Sequence, residues 1–481
     1  MKNILLFSVI FIFLGISVAA QNVNIPDANF KASLVANTAI NTNADSEIQT
    51  TEAAAYTGSL SISNLNIADL TGIGAFTSLT FLDCGFNPLL TLDVSANTAL
   101  KMLYCPSNQL TQLNVSANTA LTNLNCSMNQ LANLNLSANI NLDSLNCSQN
   151  QLTSLNISTN TKLVHLYCYD NQLTTLNVAG NTLLKHLSCG NNLLTTLSVA
   201  NNTALTYLGC TYNQLTNLNT LANSALVTMN CAHNSITTLS VSGLSSLVTL
   251  DCSNNQLNNL TLTGASALTT LFCFNNVLTN LDVSTNTSLT DLSAFTNQLT
   301  SMNLTGANAL LHIYNYNNQL SSLDISSLSA VTILHCYNNL LTSLNVKNGN
   351  NANFAMFNAT NNSSLSCIQV DNPSYSGSNS NWTKDASATY SQNCVSGVQE
   401  HTSDKSILLY PNPSKGVVYI SVHGSENAKI RVLDILGNCV WNKDCAGGSN
   451  IKIDLSDKLE GLYFAEVISG NKMTVKKIII E

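Results

Sequence analysis

The sequence predicts a mainly β, helix-poor solenoid of short stacked coils, closed by caps and followed by a small antiparallel β domain. Three observations carry that reading. Closely similar text, such as LTNLNCSMNQLANLNLSAN at residues 121–139, recurs every 21 residues. Ten cysteines keep this period without a slip: Cys84, Cys105, Cys126, Cys147, Cys168, Cys189, Cys210, Cys231, Cys252 and Cys273. Ala294 and Asn315 fill the next two slots and Cys336 resumes the register, which makes thirteen coils. An asparagine stands three residues after every slot, from Asn87 through Asn129 and Asn150 to Asn339.

Taken in chain order, residues 1–20 (MKNILLFSVIFIFLGISVAA) join one lysine, an apolar stretch and small residues before Gln21. That is the layout of a secretory signal peptide. No later apolar run reaches the ~18 residues of a membrane helix. Residues 21–57 do not repeat, and Pro26 to Val35 and Thr51 to Tyr56 read as two short helices forming an N-terminal cap. An open solenoid end would otherwise expose core and strand edges.

Residues 58–365 carry the repeat. Leucine stands two before each slot, with Met229 and Ile313 as variants, and apolar residues stand five and eight after it, as at Leu131 and Leu134. Strand alternation then points Leu124 and Cys126 inward and Asn123 and Asn125 outward. A second extended run, Leu134 to Leu136, returns along the other wall. No coil buries its apolar face alone, so stacking makes one continuous core. The pattern and period resemble leucine-rich repeats, which implies a parallel sheet on a concave face.

The asparagines read as structural, because a buried amide can meet backbone groups that leave the ladder at a turn. The cysteines read first as small buried hydrophobes. Strands ~4.8 Å apart hold their Cβ atoms too far apart for an easy disulfide. Strained bridges and metal or catalytic use stay open as lesser alternatives.

Cys367 and Cys394 lie outside the register and flank an irregular segment, so residues 366–394 read as a disulfide-closed C-terminal cap. The N-terminal stretch, the cysteine-bearing repeats and this closing segment together resemble secreted leucine-rich-repeat proteins of the phylum Bacteroidota. Residues 395–406 (VSGVQEHTSDKS) read as a linker. From 407 to 481 lysine and β-branched residues rise, and strands alternate with Gly-rich turns. Tyr410, Pro411, Asn412, Pro413, Gly416, Gly437, Gly461, Tyr463, Lys476 and Lys477 match, in order, the C-terminal sorting domain of the type IX secretion system. The resemblance implies a β-sandwich and export across the outer membrane, to the surface or beyond, by that secretion machinery. Cys439 and Cys445 depart from the pattern, and either a hairpin-closing bridge or two free thiols fits the sequence.

Functional reading begins with exclusions. Charged residues are 9% of the chain and the net charge is −8. No basic stripe exists for nucleic acid. No phosphate-binding glycine loop occurs, and serine is too abundant to nominate a nucleophile, so no enzyme and no cofactor is expected. Within residues 79–341 every Tyr, Phe and His stands three before, one before, one after or two after a slot. These are the outward strand positions and the adjoining turn, hence the concave face. One group holds His165, Tyr167, Tyr169, His186, Tyr207, Tyr212 and His233. The other holds Phe272, Phe274, Phe295, His312, Tyr314, Tyr316, His335 and Tyr337. Strand propensity alone favours rings on strands, but it does not explain the clustering. Rigid rings among Asn, Ser and Gly match the chemistry of adaptable binding surfaces. The expectation is non-catalytic binding or adhesion toward a protein or glycan at the cell surface. A self-associating structural protein is the rival. His165 and His186 share a column near Asp170, but no third firm zinc ligand is evident, so no metal is expected.

Overall fold

In a computed structural model, the structure describes residues 21–394, 407–422, 427–446, 449–469 and 472–481. The signal-peptide and linker segments, 1–20 and 395–406, lie outside the described residues. The chain divides into two compact units between residues 393 and 394.

In the first unit, three-residue strands stack into one parallel sheet of sixteen. Each repeat contributes one strand, in which the central leucine is buried between two half-buried residues, as in Asn123–Asn125. Pairing runs in strict register, with Asn123, Leu124 and Asn125 opposite Ser144, Leu145 and Asn146. Thirteen strands belong to the slots identified in the sequence. Ser59–Ser61 precedes them, and Met356–Ala359 and Trp382–Lys384 follow. All eleven repeat cysteines are buried and free. Desolvation pushes the thiols up to about 12 at Cys126, Cys189, Cys231, Cys273 and Cys336. They are core residues with no tendency to ionise.

The turn after each cysteine explains the asparagine column. The residue two after the slot is left-handed, as at Met128 with φ 56°. That bend turns backbone carbonyls inward. Asn129 Nδ2 donates to the carbonyls of Cys105 at 3.0 Å, Cys126 at 3.1 Å and Ser127 at 3.1 Å. Its Oδ1 accepts from Leu110 N at 3.0 Å. One amide thus ties two successive coils together.

The opposite wall departs from expectation. Extended runs such as Leu134–Leu136 form no ladder there in the early coils. Regular pairing on that wall begins at Thr238–Ser240, which pairs with Asn259–Thr261. A second asparagine column links the early coils there instead. Asn118 Nδ2, fully buried, donates to the carbonyls of Val94 and Asn97, both at 2.9 Å. Asn139, Asn160, Asn181, Asn202 and Asn223 repeat this bond to the preceding coil. Where Ala265 and Ala307 replace the amide, a strand pair to the preceding coil carries the link, whereas the coils of Leu244 and Leu328 pair only with the coil that follows. The coil holding Asn286 has both.

The caps differ in chemistry. At the start, Asp27 caps the helix Ala28–Val35 by accepting from Asn29 N and Phe30 N, both at 3.0 Å, and the helix buries Phe30 and Leu34. Gln49 and Glu52 form a capping box on Thr50–Ala55. At the far end, Phe354, Phe357 and Trp382 pack against one another, with Phe357 and Trp382 centroids 4.4 Å apart. Cys367 and Cys394 are disulfide-bonded.

The second unit pairs a three-stranded with a four-stranded antiparallel sheet around one core containing Val418, Ile420, Ile430, Val432 and Ala465. This is a small β-sandwich. Asn412 lies between Pro411 and Pro413 and pins that turn to the last strand, donating to Lys477 O and accepting from Ile479 N, both at 2.7 Å. Gly416 has φ 99°, and a Cβ there would stand 2.6 Å from Ser456 Cα. Gly437 and Gly461 also take positive φ. Tyr463 is buried and donates to Leu459 O at 2.8 Å. Tyr410 closes the strand Ile407–Tyr410. Lys476 and Lys477 sit in the final strand, Lys472–Ile480. The hairpin bridge between Cys439 and Cys445 is ruled out. Both thiols are free and both lie on one strand, Cys439–Cys445. Six residues of strand separate them by roughly 20 Å, far beyond disulfide reach.

Candidate ligand-binding face

The outer face of the sixteen-stranded sheet is built from columns. Because register is strict, a given position on one coil lies beside the same position on the next, at the ~4.8 Å strand spacing. Two rings in one column on adjacent coils are therefore brought side by side. Phe274, Phe295, Tyr316 and Tyr337 form a continuous ladder with centroid separations of 4.4, 4.5 and 4.4 Å and interplanar angles of 8°, 6° and 7°. Phe272 meets Phe274 edge-on, and Tyr314 meets His335 in the same manner. His335 also lies beside Tyr337. His312 Nδ1 lies 2.6 Å from Asp291 Oδ1 on the adjacent strand.

The other group forms two stacks. His186 lies flat on Tyr207 at 4.1 Å and 1° and is tilted against Tyr167 at 4.6 Å. His165 and His186 stand 6.4 Å apart. Tyr212 and His233, both in the left-handed turn column, stack at 4.1 Å. Tyr212 is 55% exposed, whereas the other rings of both groups are half-buried. Burial lowers the His186 and His335 pKa values, and the charge of His165 adds to the effect at His186. Among the described residues, no group of three or more His, Cys, Asp or Glu is placed to hold a metal ion.

Sequence reasoning singled out the rings but not the space between them. Gly190 and Gly209 occupy outward columns that carry side chains on most coils, and both are buried as floor. Above them lies a depression of about 530 Å³ lined by Tyr169, Asp170, Asn191, Tyr207, Thr211 and Tyr212, among others. The signal was present as missing side chains in two columns.

Comparison with known proteins fits both units. Residues 408–481 match the family described as the secretion system C-terminal sorting domain. The functional domain of InlJ from Listeria monocytogenes, described as including a cysteine ladder, is 29% identical to this chain, with a TM-score of 0.67. That match covers 96% of this chain and 99% of the other. An internalin, InlF, from the same organism is 23% identical with a TM-score of 0.56, over 71% of this chain and 97% of its own, and shares the fold. No curated protein matches the chain. No helix among the described residues is long and apolar enough to cross a membrane. The chain therefore joins an internalin-like leucine-rich-repeat solenoid to a type IX secretion sorting domain, and it is an exported protein of the cell surface or the surrounding medium.

Proposed function

We propose that the protein is a non-catalytic recognition protein that binds a protein or glycan partner through the ring-bearing sheet face. The observation that carries this reading is the Phe274–Phe295–Tyr316–Tyr337 ladder. Four rings in one column form a rigid apolar strip beside Asn, Ser and Thr. Stacked rings lose little entropy when a partner covers them, and their rims offer hydroxyls as well as carbon. Contiguous rings on an exported surface need a partner or a reason not to self-associate. The internalin-like fold supports a binding scaffold, and the sorting domain places the face outside the cell.

The test changes Tyr167, Tyr169 and Tyr207 to Ser in one variant and Phe295, Tyr316 and Tyr337 to Ser in another. Capture on glycan and protein arrays should fall for at least one variant while both keep a cooperative melt. Full capture by both variants would remove the proposal. Loss of the folded signal would show instead that these rings act as core.

A further inference from the structure

We propose that the depression above Gly190 and Gly209 is a subsite for a short neutral saccharide, a reading that rests on the recognition role of the sheet face. The site is built by subtraction. Gly209 stands where neighbouring coils carry Ser188 and Asn230, and Gly190 stands between Tyr169 and Thr211 in its own column. A Cβ on Gly190 would come within 2.8 Å of Thr211 Oγ1, and one on Gly209 within 3.1 Å of the Tyr207 ring. Tyr207 leans over the floor because nothing occupies that place. Its other face is held flat by His186. Tyr212 is held in the same way by His233. Two tyrosines with fixed orientation and a third, Tyr169, thus border a hollow of about 530 Å³, within the ~300–1,000 Å³ of small-ligand sites.

The polar groups select the ligand class. Lysine and arginine are absent from the lining, so phosphate, sulfate and carboxylate ligands meet no counter-charge. The one carboxylate, Asp170, accepts from Asn191 Nδ2 at 2.6 Å. That bond orients both side chains at the rim. Asn230 Oδ1 is taken by Ala232 N at 3.1 Å, so its amide donors face outward use. Ser188, Thr211 and the tyrosine hydroxyls both donate and accept. A hexose presents the complement: hydroxyls that do both, on a ring whose C–H face packs on aromatic carbon. The size suits two or three sugar units rather than an extended protein surface.

The experiment titrates the full-length chain with maltotriose, cellotriose, mannotriose and galactotriose, read by saturation-transfer NMR and calorimetry. A heparin hexasaccharide serves as the anionic contrast. At least one neutral trisaccharide should bind, with saturation arriving from tyrosine ring protons. Gly209→Asn places the residue of the following coil, as at Asn230, onto the floor, and Tyr212→Ala removes one wall. Each should weaken binding about tenfold or more, as loss of an aromatic contact does, with melting unchanged. Thr195→Ala, an exposed position outside the ring-bearing columns and the hollow's lining, should bind the sugar as before. Absence of binding by all four trisaccharides, or binding indifferent to both variants, overturns the subsite. Should the arrays meanwhile yield a protein partner lost on changing Phe295, Tyr316 and Tyr337, the recognition face stands and only the saccharide site fails.

Discussion

Replacing Asn129 with Ala tests the hydrogen-bond economy of the stack. The side chain makes four bonds, but they are not of equal weight. Each carbonyl it serves keeps another donor. Cys105 O retains Asn108 Nδ2 at 3.2 Å, Cys126 O retains Asn150 Nδ2 at 3.0 Å, and Ser127 O retains Ser107 N at 3.0 Å. Leu110 N is different, because Asn129 Oδ1 is its acceptor and the site is buried. An orphaned buried donor costs ~1–3 kcal/mol, and weakening the shared carbonyl bonds adds about 1 kcal/mol, so the expected loss is about 2–4 kcal/mol. Urea unfolding with Gln130→Ala, an exposed neighbour, as the reference gives the measurement. Indistinguishable midpoints for the two variants would refute the reasoning, since the amide would then be ornamental.

Two further outcomes follow from the same structure. Deleting residues 407–481 should retain the protein inside the envelope, seen by fractionation. Display or release at the normal level would contradict the sorting role. His186 and His335 resist protonation in the folded state because burial lowers their pKa values, while the unfolded chain takes up protons near pH ~6.5. Stability is therefore complete above that pH and declines as pH falls through it. A urea midpoint lower at pH 5.5 than at 7.5, with a smaller drop in a His186→Gln/His335→Gln variant, is expected. Equal drops would assign the pH effect to other groups.

Much of the first unit was legible because its register is a one-dimensional signal. A period of 21 with Leu124 and Cys126 inward dictates both the sheet and its outer columns. The return wall was harder to read. Its extended residues look strand-like, yet in the early coils the side chains of Asn118 and its counterparts, rather than a ladder, tie each coil to the one before. Those asparagines stand in text as varied as SAN, STN, AGN, ANN and LAN, and surface and core asparagine look alike without a turn to place them. The left-handed residues were equally hidden, because Met128, Tyr212 and Thr296 take φ values of 56°, 51° and 52° that their types disfavour. Tertiary repetition imposes that turn on whichever residue falls there. For Cys439 and Cys445 the sequence left a bridge and free thiols both open, because spacing does not show that one strand runs through both. Of the candidate face, ring positions were readable, whereas the hollow required seeing two absent side chains come together.

A ring-bearing recognition face requires sealed coils with sulfur inside and rings outside. Iodoacetamide labelling of the native full-length chain, read residue by residue in a mass spectrometer, tests that arrangement directly. Cys439, exposed outside the stack, should label promptly, the half-buried Cys445, whose thiol burial pushes up, more slowly, and the eleven repeat cysteines only after denaturation. Rapid labelling of Cys126, Cys189 or Cys231 in folded protein would contradict it.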